Sequence, residues 1–154
     1  MTESAVGLEL AAATKKDLPA LVDLLGVLFS EEADFVPDAA KQRRALEAIL
    51  ADPRIGRIYV AREGKRVIAM VSTLYTISTA EGGKAAWLED MVVLPECRGR
   101  GVGAALLAHA VVGAREAGCL RLTLLSDEDN ARAHGVYAGE GFQFSGMRPM
   151  RLKL

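Results

Sequence analysis

Residues 88–107, LEDMVVLPECRGRGVGAALL, decide the fold of this chain. The first part is apolar and β-branched apart from two carboxylates, which predicts a buried strand over residues 87–94 that Pro95 ends. Glycine accepts positive φ and lets the backbone approach a ligand closely, and the next loop holds Gly99, Gly101 and Gly103. The apolar residues after these glycines predict a helix over residues 101–114.

The start of this helix predicts an anion site. The first helical turn leaves backbone N–H groups without partners, and the positive end of the helix dipole lies behind them. Arg98 and Arg100 add positive charge beside the glycines. Such a site suits phosphate.

Three motifs carry a resemblance to a known family. They are Arg98-x-x-Gly101-x-Gly103 after a strand and before an apolar helix, Glu89-Asp90 on that strand, and Asn130-x-x-Ala133-x-x-x-Tyr137-x-x-x-Gly141-Phe142 after the next strand. In order and spacing over residues 87–144 the chain resembles the GNAT (Gcn5-related) N-acetyltransferases. The resemblance implies acetyl-CoA as co-substrate and a homodimer.

The same resemblance implies an α/β fold of the α+β type, the GNAT acyl-CoA N-acyltransferase fold. Its central sheet is mixed, mostly antiparallel and of about seven strands, with helices on both faces and right-handed crossovers. The strands around Trp87 and Leu122 are expected to be parallel and to splay apart, so that acyl-CoA lies in the gap.

The strand and helix patterns fit that order. They predict helices over residues 18–29, 39–51, 101–116 and 130–139, and strands over residues 7–13, 57–62, 67–78, 87–93, 120–125, 141–146 and 150–154. Thr14 or Asp17 is expected to cap the first helix, and Asp38 the second. Gly118 suits a left-handed helix end.

The expected cofactor-binding residues follow from the resemblance. Backbone N–H groups of the loop are expected to hold the pyrophosphate, with side-chain help near the 3′-phosphate from the two arginines: Arg98, Gly99, Arg100, Gly101, Val102, Gly103 and Ala104. The backbone of Met91, Val92 and Val93 is expected to pair with the pantetheine arm, as an added strand would. Ala133 fits a small residue against CoA, and Asn130 either binds the pantetheine arm or only caps its helix.

The glycine loop has two other possible interpretations. One is a glycine-rich turn with no ligand. The other is a nicotinamide- or flavin-dinucleotide site, but the spacing G-R-G-V-G differs from G-x-G-x-x-G. The antiparallel strands predicted before the loop also disfavour a dinucleotide fold.

A base is needed because an amine attacks an acyl group only when it has lost a proton. A carboxylate in an apolar strand can have a raised pKa, which suits this role. Strand alternation places Glu89 and Asp90 on opposite faces. The resemblance favours Glu89, since the LED triplet matches polyamine-type members, with Asp90 as second choice; alternatively both are structural.

Tyr137 is predicted to be the acid that protonates the leaving CoA thiolate, a role carried over from the family. The alternative is a core aromatic residue whose hydroxyl reaches the surface. His109 and His134 are expected to be structural or to face solvent. We expect no acyl-cysteine route through Cys97, because that residue lies where the pyrophosphate should bind.

Composition bounds the remaining possibilities. The 154 residues are expected to form a single domain over 1–154. A net charge of −1 disfavours nucleic acid as a partner. The two cysteines match no zinc spacing and no disulfide framework, so we expect no metal and a cytoplasmic location. Because the first residues lack a basic region followed by a long apolar run, we expect no signal peptide there, and we expect no membrane-spanning stretch.

The predicted function is therefore an N-acetyltransferase that moves acetyl from acetyl-CoA to a primary amine by direct attack in a ternary complex. Glu31, Glu32 and Asp34 lie in a loop where the fold builds its acceptor site, and acidic groups attract cations. A small cationic molecule is the expected acceptor. The alternatives are a protein or peptide N-acetyltransferase and a non-catalytic acyl-CoA-binding module.

Overall fold

The computed structural model describes residues 7–32 and 34–154. In chain order the elements are β1 (Leu8–Ala12), α1 (Leu18–Glu31), α2 (Ala39–Ala51), β2 (Gly56–Glu63), β3 (Arg66–Ser78), β4 (Gly83–Val93), α3 (Val102–Glu116), β5 (Leu122–Leu124) and α4 (Ala131–Glu140). Short 3-10 turns precede α1 at Lys15–Asp17 and follow β4 at Pro95–Cys97. The predicted helices are confirmed, with α2 at the expected residues. The assignment of residues 1–154 to one domain stays a prediction.

The five strands form one sheet in the order β1-β2-β3-β4-β5. The first four pair antiparallel, and β5 is parallel to β4. Helix α3 makes the crossover between β4 and β5, as a parallel connection requires. The parallel pairing joins only Ala86–Leu88 to Leu122–Leu124, so the two strands separate beyond Leu88.

The helices cover both faces of the sheet, as expected. Helices α1 and α2 bury leucines against one face, where they meet Ile58, Val60 and Met70. Helix α3 buries Leu106 and Leu107 against the other face. These two apolar layers hold the helices against the sheet, and the end of β4, the end of α1 and the start of α3 reach the site.

Local polar contacts set the helix ends. The side chain of Asp38 accepts a hydrogen bond from the backbone N–H of Lys41 at 3.2 Å, which confirms it as the cap of α2. Gly118 has φ of 84°, so it takes the left-handed conformation after α3 that its position predicted.

A buried ion pair fixes the start of α1 to the sheet. Asp17 Oδ1 and Oδ2 accept hydrogen bonds from an Arg62 guanidinium nitrogen at 2.7 and 2.6 Å, and Asp17 Oδ2 also accepts from the backbone N–H of Thr14 at 2.8 Å. Asp17 is buried, and Arg62 lies at a bulge in β2. This contact sets the position of the helix whose far end reaches the cleft.

The predicted strands over 141–146 and 150–154 are wrong, and the described sheet has five strands rather than about seven. The alternating pattern there is real, but a strand also needs a neighbouring edge for its backbone groups. Within residues 7–32 and 34–154, this segment has no strand partner. Phe142 packs against the core, but the large apolar side chains that follow it are exposed.

A helix that crosses a bilayer needs about 20 mostly apolar residues. In the part of the chain that the structure describes, no helix is both long and apolar enough to cross a membrane.

Candidate active site

A cleft of about 950 Å³ opens where β4 and β5 separate. Its walls come from the end of α1, the second half of β4, the glycine loop with the start of α3, and the start of α4. Residues 125–127, after β5, and residues 149–151 complete the rim. A volume of this size accommodates a cofactor-sized ligand.

A β-bulge in β4 directs two carboxylates into this cleft. Met70 pairs with Val92 and Ser72 pairs with Glu89, so Asp90 and Met91 together face the single residue between them on β3. Asp90 has φ of 55°, the one positive φ among the described non-glycine residues. Backbone strain of this kind is frequent at functional sites.

The bulge interrupts the strand alternation that placed Glu89 and Asp90 on opposite faces, so that expectation stays a prediction. Leu88 and Met91 both pack on the α3 side of the sheet, although strict alternation would place residues three apart on opposite sides. The extra residue interrupts the alternation. As a result both Glu89 and Asp90 line the cleft.

The environments of these two carboxylates differ. Asp90 is half-buried, whereas Glu89 is exposed. Burial, and then the charges of Glu89 and Glu32, raise the pKa of the Asp90 carboxyl from its ordinary 3.8 to about 6. At neutral pH Asp90 is therefore mostly ionised, but it holds a proton more readily than an exposed aspartate.

The glycine loop has the geometry of an anion site. Gly99 and Gly101 have φ of 78° and 77°, and helix α3 begins at the next residue, Val102. Gly103 does not have the expected positive φ, because it already lies within α3. A methyl group there would lie 3.5 Å from Met91 Cε, which is an ordinary van der Waals contact, so the packing of helix against strand does not require glycine at residue 103.

The two loop arginines are held by carboxylates. Arg98 donates to the backbone carbonyl of Val93 at 3.0 Å and to Glu31 at 3.0 and 3.1 Å. These bonds join the loop to the end of β4 and to the last turn of α1. Arg100 pairs with Glu63 and does not line the cleft, so its predicted contact with the cofactor stays a prediction.

Sequence reasoning missed a third arginine. Arg132, in the first turn of α4, lines the cleft, and its guanidinium nitrogen lies 3.5 Å from the position that a methyl group on Gly99 would occupy. A positive charge therefore reaches the glycine loop from the opposite wall. The signal in the sequence was only an arginine two residues after Asn130, which does not reveal where α4 packs.

Helix α4 presents the other predicted residues. Asn130 Oδ1 accepts a hydrogen bond from the backbone N–H of Ala133 at 3.2 Å, so Asn130 caps this helix. Tyr137 lines the cleft and contacts the ring of Phe142 with centroids 5.9 Å apart. Burial, followed by the charge of Glu32, raises the pKa of the Tyr137 hydroxyl, which keeps the phenol protonated at neutral pH.

An acidic rim faces these residues. Helix α1 extends to Glu31, so the rim loop begins at Glu32 rather than at residue 30. Burial, and then the charges of Asp127 and Asp34, raise the pKa of Glu32. Mutual repulsion of these carboxylates produces a negative potential that a cation would relieve.

The structure brings nearly all predicted site residues together. Those that line the cleft are Glu89, Met91, Val92, Val93, Arg98, Gly99, Gly101, Val102, Gly103, Ala104, Asn130, Ala133 and Tyr137. His109 instead packs against Tyr59 at a centroid distance of 5.4 Å. Among the described residues, no group of three or more His, Cys, Asp or Glu side chains could hold a metal ion. The expectation that the protein binds no metal stays a prediction.

Comparison with known sequences gives consistent results. Residues 19–142 match the Acetyltransferase (GNAT) family. The chain is 33% identical over 141 residues to an aminoalkylphosphonate N-acetyltransferase of Salmonella typhimurium, covering 91% of this chain and 88% of that protein. It is 32% identical over 111 residues to an aminoglycoside N(6')-acetyltransferase type 1 of Stenotrophomonas maltophilia, covering 70% of this chain and 72% of that protein.

Solved structures show the same fold. An integron cassette protein, HFX_CASS3, from the mobile metagenome of Cole Harbour Salt Marsh superposes with a TM-score of 0.83 at 30% identity. The match covers 94% of this chain and 90% of that one.

Proposed function

The chain belongs to the acetyltransferase (GNAT) family and is an acetyl-CoA-dependent acyltransferase, and we propose that it acetylates the primary amine of a small cationic molecule. The observation that carries this proposal is the cleft between β4 and β5, which is lined both by the glycine loop with its anion site and by the acidic rim. The direct attack of the amine in a ternary complex is part of the same proposal.

The residues of the cleft fit acetyl-CoA, which would supply the acetyl group as a thioester. The positive φ of Gly99 and Gly101 and the free N–H groups at the start of α3 suit the pyrophosphate. Arg132 supplies charge beside them. Beyond Leu88 the β5-facing edge of β4 is open, which leaves room for the extended arm.

For the base, we propose Asp90. It is half-buried, its pKa of about 6 lies near the physiological range, and the bulge directs it into the cleft. A base with such a pKa combines a useful ionised fraction with proton affinity. It would take the proton that the amine nitrogen loses as the new C–N bond forms. Glu89, the base favoured by the family resemblance, lines the same cleft, and its role stays a prediction.

For the acid, we propose Tyr137. Its hydroxyl is protonated at neutral pH, and Tyr137 lines the same cleft as the glycine loop. It would donate its proton to the thiolate released when the C–S bond breaks. Ala133, one turn earlier on α4, leaves space beside it.

The Tyr137→Phe variant tests the acid. We expect kcat to fall by roughly 100-fold, since general acid catalysis contributes about that much or more, while the Kd for acetyl-CoA changes by about twofold or less. Steady-state kinetics and calorimetric titration measure the two quantities. Tyr75→Phe is the matched control, because Tyr75 does not line the cleft. An unchanged kcat in Tyr137→Phe would remove the acid role.

The Glu32→Gln variant tests the cationic acceptor. We expect KM for cationic amines to rise several-fold, and the effect to shrink as salt screens the rim. Glu47→Gln, on the exposed face of α2, is the control. It should change neither the KM for cationic amines nor the dependence of that KM on salt. The panel of acceptors would contain polyamines, aminoglycosides, aminoalkylphosphonates and peptide N-termini. Preference for a neutral or acidic acceptor would contradict the proposed steering.

A cytoplasmic location and a homodimer remain part of the proposal. Both cysteines are free thiols, which supports a reducing compartment. The exposed apolar residues at the end of the chain support association with another copy.

A further inference from the structure

Arg151 places a cation of the chain itself at the acidic rim of the cleft. A guanidinium nitrogen of Arg151 lies 3.8 Å from the Asp34 carboxylate, and Cζ stands over the Phe35 ring at 5.5 Å from its centroid. All three residues line the cleft. A guanidinium of the protein therefore already holds a position that the proposed function gives to a cationic acceptor.

Asp34 and Phe35 offer the two kinds of contact that bind an organic cation. The carboxylate attracts the positive charge, and the face of an aromatic ring attracts a guanidinium or ammonium group through its quadrupole. The Phe35 ring is held against that of Phe29 on α1, with centroids 5.4 Å apart. The pair is therefore a positioned subsite, and the bound guanidinium shows which chemistry fits it.

The other cations of the cleft are engaged elsewhere. Of the described residues that line it, three are cationic: Arg98, Arg132 and Arg151. Arg98 donates to Glu31, and the guanidinium of Arg132 lies beside Gly99 in the glycine loop. Arg151 is thus the cation that competes with an acceptor for the Asp34 subsite.

Arg151 lies at the end of a segment, residues 144–151, that we call the C-terminal strap. At its start the Phe144 ring packs edge-on against His134 of α4, with centroids 5.1 Å apart. Met150 lines the cleft beside Arg151. Among the described residues, no backbone–backbone hydrogen bond involves the strap. Because side-chain contacts hold it, the strap can move without breaking a helix or the sheet.

The contact of Arg151 is also weak enough for a ligand to displace. The side chains of Arg151 and Asp34 are 63% and 71% exposed, and exposed ion pairs contribute little net stability. The Phe35 contact, at a half-exposed ring, is of the modest kind. The apparent affinity of an acceptor is then reduced by the fraction of molecules in which Arg151 fills the subsite.

We propose that Arg151 determines acceptor specificity as an internal competitor. A cationic group of the acceptor displaces the Arg151 guanidinium from Asp34 and Phe35, and the strap moves aside. The acceptor class is then a primary amine that carries a second cationic group, a guanidinium or an alkylammonium, at its other end. This inference rests on the proposed function, whose acceptor it narrows.

Steady-state kinetics with three acceptors of similar chain length tests the inference. Agmatine ends in a guanidinium, butylamine in a methyl group and γ-aminobutyrate in a carboxylate. In Arg151→Gln the KM for agmatine should fall by about fivefold because the internal competitor is gone, while the KM for butylamine should change by less than about twofold. Arg151→Lys keeps a cation and should retain the KM of the wild type for agmatine.

Two further variants separate this role from a structural one. Asp34→Asn removes the charge of the subsite, so the KM for agmatine should rise several-fold while the KM for butylamine stays nearly the same. Lys153→Gln removes a cation near the same end of the chain that does not line the cleft, and it should change neither KM. Because Arg151 is exposed, its substitution should not affect folding, which circular dichroism checks.

An unchanged or higher KM for agmatine in Arg151→Gln would overturn the inference. A selective loss of γ-aminobutyrate acetylation in that variant would overturn it too, because Arg151 would then bind an anionic group of the acceptor. If no amine is acetylated, the proposed function fails, and calorimetric titration of the wild type and Arg151→Gln with agmatine decides the inference separately. Tighter binding by the variant would support it, and equal affinity of the two proteins would overturn it.

Discussion

Asp90→Asn is expected to lower kcat/KM by about 100-fold or more, which is the usual size of a general base contribution. Asparagine has nearly the same shape as aspartate and tolerates positive φ, so the bulge at φ of 55° should persist. The variant therefore removes the proton acceptor and leaves the cleft in place. Affinity for acetyl-CoA, measured by calorimetry, should change little.

The pH profile gives an independent test of the same residue. The base works only when ionised, so log kcat/KM of the wild type should rise with pH and bend near pH 6, the pKa of Asp90. In Asp90→Asn the pH profile of the residual activity should no longer show the bend near pH 6. The protonation of the amine acceptor adds a separate limb at higher pH, which the substitution should not move.

The same substitution should stabilise the protein. The folded-state pKa of Asp90 lies above its ordinary value of 3.8, so between pH 3.8 and about 6 the folded chain binds more protons than the unfolded chain. The free energy of unfolding therefore falls as pH rises through this window, and above about pH 6 the loss of stability from ionising Asp90 is complete. Asp90→Asn should raise the free energy of unfolding by about 1–2 kcal/mol at pH 7, after allowance for solvent screening of a half-buried group, and should leave it unchanged at pH 3. Denaturant unfolding at the two pH values measures this difference.

Glu89→Gln is the matched comparison. It removes the neighbouring carboxylate in the same cleft, and we expect a much smaller loss of kcat/KM. If Glu89→Gln instead causes the 100-fold loss and Asp90→Asn does not, the base is Glu89. If neither variant loses activity, the base is not one of these two carboxylates.

Asp17→Ala is expected to destabilise the fold by about 3 kcal/mol. The change leaves the largely buried guanidinium of Arg62 without its carboxylate and removes the acceptor of the Thr14 N–H. Breaking a buried pair from one side is costly because an uncompensated charge remains. Urea unfolding monitored by circular dichroism measures the loss.

An exposed pair supplies the control for this prediction. Arg43 and Glu47, 3.8 Å apart on α2, are half exposed, and Glu47→Ala should cost about 0.5 kcal/mol or less. Replacing both buried partners, as Asp17→Leu/Arg62→Met, should recover part of the loss. Equal effects of Asp17→Ala and Glu47→Ala would mean that the Asp17–Arg62 pair does not hold α1 to the sheet.

The parts of the site that local sequence determines were predictable. The glycine loop and the start of α3 depend on residues that are adjacent in the chain, and Asp38 and Gly118 occupy helix ends whose preferences are local. The order of helices and strands followed from periodicity for the same reason.

The parts that depend on pairing between distant segments were not predictable. The bulge at Asp90 is a property of the register between β3 and β4, and alternation within one strand cannot show it. The position of Arg132 over the glycine loop depends on how α4 packs. The alternation from Met150 to Leu154 predicted a strand, but whether a strand forms depends on an edge elsewhere.

Calorimetric titration of the wild type and Gly101→Asp with acetyl-CoA tests the central claim most directly, with NADH as the control ligand. The added carboxylate lies at a loop position with φ of 77° and should repel the pyrophosphate without filling a packed space. We predict a micromolar Kd for the wild type, at least tenfold weaker binding by the variant, and no binding of NADH. Absence of acetyl-CoA binding by the wild type, or equal affinity of the two proteins, would contradict the assignment of the glycine loop as the acetyl-CoA site.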